Sequence, residues 1–286
     1  MGPASSGKET LRQMFQEGLN VCRLNFSHGS HEVHAETIKT IRELNEETGL
    51  NVAILADLQG PKIRTGNMKD NAMELVPGET LTIVIEEILG ENNTFSINYT
   101  QLPQDVKVGE RILLDDGKLS LDVISTNGIN EIKAKVIYGG TLSSHKGVNL
   151  PNTKISLPSL TEKDREDLDF ALSQNVDWLG LSFVRSARDI IELKYLVAAK
   201  KAKAKIIAKI EKPEAVEDIE AIVRESDALM VARGDLGVEV PYQNVPLIQK
   251  MLINKGMLHG KPVIVATQMM ESMIVSSSPT RAEVND

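Results

Sequence analysis

The chain has 286 residues, 41% apolar and 25% charged, enough for one large α/β domain or for one with a smaller domain inserted. A net charge of −8 and an aromatic share of 3% argue against the basic, aromatic faces that hold nucleic acid, although a small phosphorylated substrate needs only a few local cations or a metal. No run approaches the roughly 18–20 apolar residues of a membrane span, and Met1-Gly2-Pro3-Ala4-Ser5-Ser6 has no charged-then-apolar secretory pattern. The single cysteine, Cys22, reads as core and has no partner for an internal disulfide, so the expected location is the cytoplasm.

In chain order, runs rich in Val, Ile and Leu predict strands at residues 19–26, 52–58, 178–183, 205–210, 228–232 and 262–266. Amphipathic helices follow most of them. One opens at Thr161 with Asp164 three residues on, one runs over 186–203 behind Ser186, and one over 213–226, where Ala215, Val216, Ile219, Ile222 and Val223 recur at helical spacing. The basic cluster Lys200, Lys201 and Lys203 reads as a solvated helix end, and His31 and His34 as residues of an exposed helix face.

Strands that are apolar throughout, joined by helical crossovers, indicate a parallel sheet covered on both faces. A (β/α) barrel is the expected architecture, with a doubly wound sheet as the alternative. From about residue 66 to 158 the rhythm breaks. β-forming segments at 80–86, 111–114, 118–124 and 131–138 are separated by Asp-Asp-Gly and Asn-Gly turns, which predicts a small all-β domain. The expected division is therefore a barrel domain over 1–65 and 159–286 with an inserted lid-like β domain over 66–158.

In a β/α barrel the chemistry sits at the C-terminal ends of the strands. Polar residues collect there: Arg23, Asn25, Ser27 and His28 after the first strand, then Asp57, Gln59, Lys62 and Arg64. The later strands end in Ser182 and Arg185, Lys209 and Glu211, Arg233 and Asp235, and Thr267 and Gln268. Glu211 and Asp235, on successive strand ends, could converge on one hard cation, and magnesium often takes one or two carboxylates and completes its shell with water and substrate oxygens. Neighbouring Arg and Lys suit phosphate and enolate charge. Spacing alone reaches magnesium-assisted chemistry on a small anion, either phosphoryl transfer or a lyase with a metal-bound enolate.

Six strings in register resemble the pyruvate kinase family. They are Asn20-Val-Cys-Arg-Leu-Asn-Phe-Ser-His-Gly29, Asp57-Leu-Gln-Gly-Pro-Lys-Ile-Arg-Thr-Gly66, Lys146-Gly-Val-Asn-Leu-Pro151, Ala208-Lys-Ile-Glu211, Met230-Val-Ala-Arg-Gly-Asp-Leu-Gly237 and Ala266-Thr-Gln-Met-Met-Glu-Ser-Met273. The resemblance implies an incomplete (β/α)8 barrel of the TIM type and transfer of phosphate from phosphoenolpyruvate to ADP, giving pyruvate and ATP. By the same resemblance Glu211 and Asp235 bind magnesium, Lys209 lies against the phosphoryl and enolate oxygens, and Arg23 contacts the phosphoryl group. Thr267 sits by the enolate methylene. The backbone at Arg233, Gly234 and Asp235 holds the substrate carboxylate. Arg64 and His28 lie on the nucleotide side, with Lys146 reaching in from the inserted domain. For Ser27 and His28, capping of the following helix stands as an equal reading.

Many members of the family hold potassium with residues matching Asn25, Ser27, Asp57 and the backbone at 58. Here Leu58-Gln59-Gly60-Pro61-Lys62 resembles the branch that works without it, the Lys62 ammonium standing in for the ion, so little or no potassium requirement is expected. The resemblance also implies that the first and last barrel strands and a C-terminal domain are absent. Family members assemble as homotetramers partly through that domain. A catalytically silent fragment, and less so a magnesium-dependent pyruvate-enolate lyase or aldolase, remain the rival readings.

Overall fold

The computed structural model describes residues 1–285. Its backbone forms two compact units: residues 1–61, 159–233 and 246–286, and residues 62–158 with 234–245.

In the first unit six parallel strands form one sheet: Val21–Asn25, Ala53–Asp57, Trp178–Leu181, Lys205–Ile210, Ala228–Ala232 and Val263–Ala266. Their order in space is their order in the chain. A doubly wound sheet reverses order at its switch point, so the alternative topology is set aside. Side chains alternate between two apolar layers. One set, including Cys22, Leu24, Ile54, Ala56, Leu179, Leu181, Ile206, Ala208, Leu229 and Val231, is buried in the large core that the helices share. The other set, Leu55, Ile207, Ala228 and Met230, forms a small inner cluster flanked by Val21, Trp178, Ile264 and Ala266. Burial on both faces is why the four central strands read as near-continuous apolar runs.

The crossover helices follow the local chemistry. Glu162–Ser173 opens on a capping box between Thr161 and Asp164, and Ala187–Ala199 on one between Ser186 and Asp189. The expected helix over 213–226 is instead two, Pro213–Glu217 and Ile219–Glu225, meeting at Asp218. The Asp218 carboxylate accepts the Ala187 amide at 2.9 Å, satisfying a donor in the first turn of the neighbouring helix. The exposed reading of His34 is overturned. In the helix His31–Thr48 it shares the buried stripe of Ile38, Ile41 and Leu44 at spacings of three and four. His31 is also engaged, with Nε2 2.7 Å from the Asp167 carboxylate.

The second unit holds a six-stranded sheet in the order Val148–Asn149, Arg111–Leu114, Leu119–Thr126, Glu131–Tyr138, Thr80–Val84, Thr94–Ser96. A two-stranded ribbon, Ala72–Leu75 with Gly140–Ser143, lies beside it in sequence. Alternating residues such as Leu81, Ile83, Ile112, Leu121, Ile132 and Ala134 fill its core with Phe95 and Tyr99. The Asp115-Asp116-Gly117 turn has positive φ at all three residues (50°, 56° and 84°), which suits these residue types. Residues 62–65 cluster with this unit, and so do 234–245, where Asn149 donates to the Glu239 carboxylate at 2.8 Å. The sequence reading placed both stretches in the barrel. Among the described residues no helix is long and apolar enough to cross a membrane.

Candidate active site

The inner face of the sheet changes character along each strand. It begins with Val21, Leu55, Trp178 and Ile207, and with the period of two it ends in Arg23 and Asn25, Asp57, Ser182, and Lys209 and Glu211. Polar groups therefore meet at one end of a parallel sheet because each strand carries them at the same phase. Gly180 makes room for them. A Cβ there would lie 3.0 Å from the Asp57 Oδ1 atom.

Lys209 is the centre of this cluster, 8% exposed. Its Nζ lies 2.9 Å from Glu211 Oε1, 3.1 Å from Asp57 Oδ1 and 2.6 Å from Ser182 Oγ. Ser182 in turn donates to the Leu58 carbonyl at 2.6 Å. Burial pushes the Lys209 ammonium down, but the Glu211 and Asp57 carboxylates outweigh it and leave the group above the ordinary lysine value. The other Asp57 oxygen accepts Arg23 Nε at 2.6 Å, while Glu211 Oε2 accepts the Phe183 amide at 2.7 Å. Two carboxylates, each 1% exposed, are thus held by one buried ammonium, one half-exposed guanidinium and one amide. Phe183, whose amide meets Glu211, has a positive φ of 53°, a conformation that persists where the surroundings over-determine it.

At the same C-terminal end of the sheet but at its far edge, Thr267 follows the last strand with φ 73°, a conformation a β-branched residue rarely adopts. Arg233 donates to the Thr267 and Ala266 carbonyls, which holds this turn against the end of the fifth strand. Strain of that kind persists where surrounding contacts over-determine it, and it collects at functional sites.

The other expected site residues fall as follows. Asn25 Oδ1 accepts the Ser27 amide at 3.1 Å, so Ser27 and Asn25 form a turn. Neither Ser27 nor His28 caps the next helix. Its N-cap residue is Ser30, and the His28 carbonyl accepts from His34 Nε2 at 2.9 Å. Gly234 and Asp235 lie in the short helix Arg233–Glu239 and cluster with the second unit, as do Lys62, Arg64 and Lys146. Within that unit Arg64 donates to the His145 carbonyl, and Lys146 and Lys118 clasp Asp115 at 2.8 and 2.9 Å, holding its carboxyl below the usual range. The residues that sequence reasoning did not connect with the site are Phe183, through its amide on Glu211, and Lys163, Asp164 and Asp167 in the first turns of Glu162–Ser173. At the N-terminal strand ends, Lys201, Lys203 and Lys205 line an open groove with Trp178, away from the polar cluster.

The pyruvate kinase barrel-domain family matches residues 1–286. The chain belongs to the pyruvate kinase family. It is 50% identical over its whole length to the pyruvate kinase of Geobacillus stearothermophilus, covering 49% of that protein, and 47% identical to that of Corynebacterium efficiens, covering 60%. A crystal structure of a pyruvate kinase from Cryptosporidium parvum matches 99% of this chain and 59% of that one, with a TM-score of 0.94 at 40% identity. The chain therefore spans about half to three-fifths of the length of these relatives. The pyruvate kinase barrel accounts for the sequential parallel sheet, and pyruvate kinases are phosphotransferases.

Proposed function

We propose that this chain carries the site of a magnesium-assisted transfer of phosphate from phosphoenolpyruvate to ADP, yielding pyruvate and ATP. The observation that carries the reading is the buried Lys209 ammonium set between Asp57 and Glu211 at the polar end of the sheet. Breaking the bridging P–O bond puts negative charge on an enolate oxygen. A fixed ammonium in a dry setting stabilises that charge without reorganising at the moment of reaction. Arg23, anchored by Asp57, is placed to meet the phosphoryl group with its free edge. Thr267 is assigned to the side of the enolate methylene, where a proton must arrive. Gly234 permits close backbone approach to the substrate carboxylate, with Arg233 and Asp235 beside it in sequence. Arg64, His28 and Lys146 are assigned to the nucleotide.

Glu211 and Asp235 are the residues that would hold magnesium. Glu211 offers a carboxylate in a cluster already rich in charge, and Asp235 a half-buried one three residues past the adjacent strand. Such hard oxygen donors suit the ion, which leaves its other positions to water and substrate oxygens. When bound it supplies charge neutralisation on the phosphoryl and enolate oxygens.

The potassium reading follows the same cluster. The Asp57 carboxylate is balanced within the protein by two cations, Arg23 and Lys209, which supports a site that works without a monovalent cation, with Lys62 supplying charge. Turnover of the chain is expected to be the same in potassium and in a large organic cation, and Lys62→Glu is expected to make it respond to potassium. A steep dependence in the unaltered chain contradicts this.

The reaction class is tested by pyruvate release with and without ADP. Transfer requires the nucleotide and yields ATP in equal amount, whereas a lyase has no use for it. A folded chain that produces neither supports the silent-fragment reading. The assignment to the cytoplasm and to glycolysis goes with this function.

A further inference from the structure

Beyond the reacting groups, the first turns of the helix Glu162–Ser173 hold the two loops on which the polar cluster depends. Asp164, fully buried, accepts the Gly60 amide at 2.9 Å and so fixes the turn after the second strand. Lys163 reaches the loop after the first strand, donating from Nζ to the Phe26 carbonyl at 2.8 Å and to Asp167 Oδ2 at 2.5 Å. Asp167 is 4% exposed, and its other oxygen lies 2.7 Å from His31 Nε2, whose ring stacks on Phe170 with centroids 4.3 Å apart. On the far side of the turn, His34 stacks on Phe26 at 4.4 Å and sits 2.9 Å from the His28 carbonyl. A carbonyl only accepts, so His34 carries its hydrogen on Nε2. Two carbonyls of one three-residue turn, those of Phe26 and His28, are therefore gripped by side chains from two helices. A solvated surface loop needs no such grip.

We infer that Lys163 and Asp167 are positioning residues. Through the Phe26 carbonyl and His31 they clamp the turn that carries Ser27 and His28 and that follows directly on Arg23 and Asn25. The assignment rests on the proposed transfer reaction for its substrate, because Arg23 is the group placed to meet the phosphoryl and its strand continues into the clamped turn. Lys163 and Asp167 touch no reacting atom. A charge-assisted hydrogen bond to a main-chain carbonyl is worth enough to change local order about tenfold.

The test uses the chain as it exists, beside Lys163→Met and Lys163→Arg. The Lys163 side chain is half exposed, so methionine is tolerated at that position. The amides of Phe26, Ser27 and His28, which bond to Asp57, Asn25 Oδ1 and the Asn25 carbonyl, report on the turn by hydrogen exchange. In Lys163→Met their exchange is expected to rise about tenfold while amides of the strand Ala228–Ala232 keep their rates. Calorimetric affinity for phosphoenolpyruvate with magnesium falls by a similar factor, and Lys163→Arg, which restores a donor to both partners, restores both readouts. The clamp is overturned by unchanged exchange at those three amides, by an even rise across the whole chain, or by failure of arginine to restore. A wild-type chain that binds no phosphoenolpyruvate sinks the proposed reaction instead, and the exchange comparison still decides the clamp.

Discussion

Replacing Lys209 with methionine keeps most of the side-chain volume and removes only the ammonium. What is left is Glu211 and Asp57, each 1% exposed and each formerly within about 3 Å of the charge. Removing one partner of a buried ion pair costs about 3–5 kcal/mol, because the remaining charge is stranded. Arg23 stays on Asp57 and the Phe183 amide stays on Glu211, so both carboxylates keep a partner after the ammonium is gone. The lower end of the range, about 3 kcal/mol, is therefore expected, or roughly 6–12 °C in the melting midpoint for a chain of this size. Thermal unfolding followed by circular dichroism reads it directly. The double variant Lys209→Met with Glu211→Gln should recover about 1–3 kcal/mol, since glutamine still accepts the Phe183 amide and carries no charge. The sign with pH is fixed by the raised value of Lys209. Its contribution is fully present below the unfolded value of 10.5 and is lost only as pH rises through the higher folded value. The deficit of the single variant should thus stay level between about pH 6 and 9. A loss under about 1 kcal/mol, or a double variant no better than the single, would refute the claim that Lys209 compensates buried carboxylates.

Other expectations follow from particular contacts. Burial lowers the His34 value from the ordinary 6.5, so stability should fall as pH drops below 6.5, and His34→Gln should flatten that slope in melts taken from pH 7 to 5. Burial, with the hydrogen bond to Asp105, pushes the Tyr99 phenol up to about 12, so its contribution holds below pH 10 and is lost as pH rises towards 12. Tyr99→Phe should delete the last step of an alkaline absorbance titration. Gly60 has φ 71°, and a Cβ there would stand 2.8 Å from the Phe183 ring and 3.0 Å from Ser182 Cβ. Gly60→Ala should cost about 2 kcal/mol or more in a denaturant melt and disturb the Lys209 cluster through both neighbours.

How much of this was legible beforehand depends on where the signal lies. The four central barrel strands were readable because burial on both faces makes each a near-continuous apolar run, and the polar cluster because Asp57, Lys209 and Glu211 end such runs. The inserted sheet was readable from its Asp-Asp-Gly and Asn-Gly turns. The split at Asp218 was not, since the apolar periodicity continues across it and the carboxylate's partner, the Ala187 amide, lies far along the chain. His34 misled because a histidine on a helix reads as polar, although its spacing to Ile38 and Ile41 put it on the buried stripe. The clustering of residues 234–245 with the inserted sheet depends on contacts far apart in the chain, such as Asn149 with Glu239, which no local pattern reports.

The central claim is that the Lys209 cluster serves phosphoryl transfer. Phosphorus NMR of the purified chain with phosphoenolpyruvate, ADP and magnesium tests it most directly, with Lys209→Met alongside. The account predicts that the phosphoenolpyruvate resonance decays as the ATP γ-phosphate resonance grows in equal amount, and that both changes stop in Lys209→Met. Decay without ATP, or a rate that survives the loss of Lys209, would contradict it.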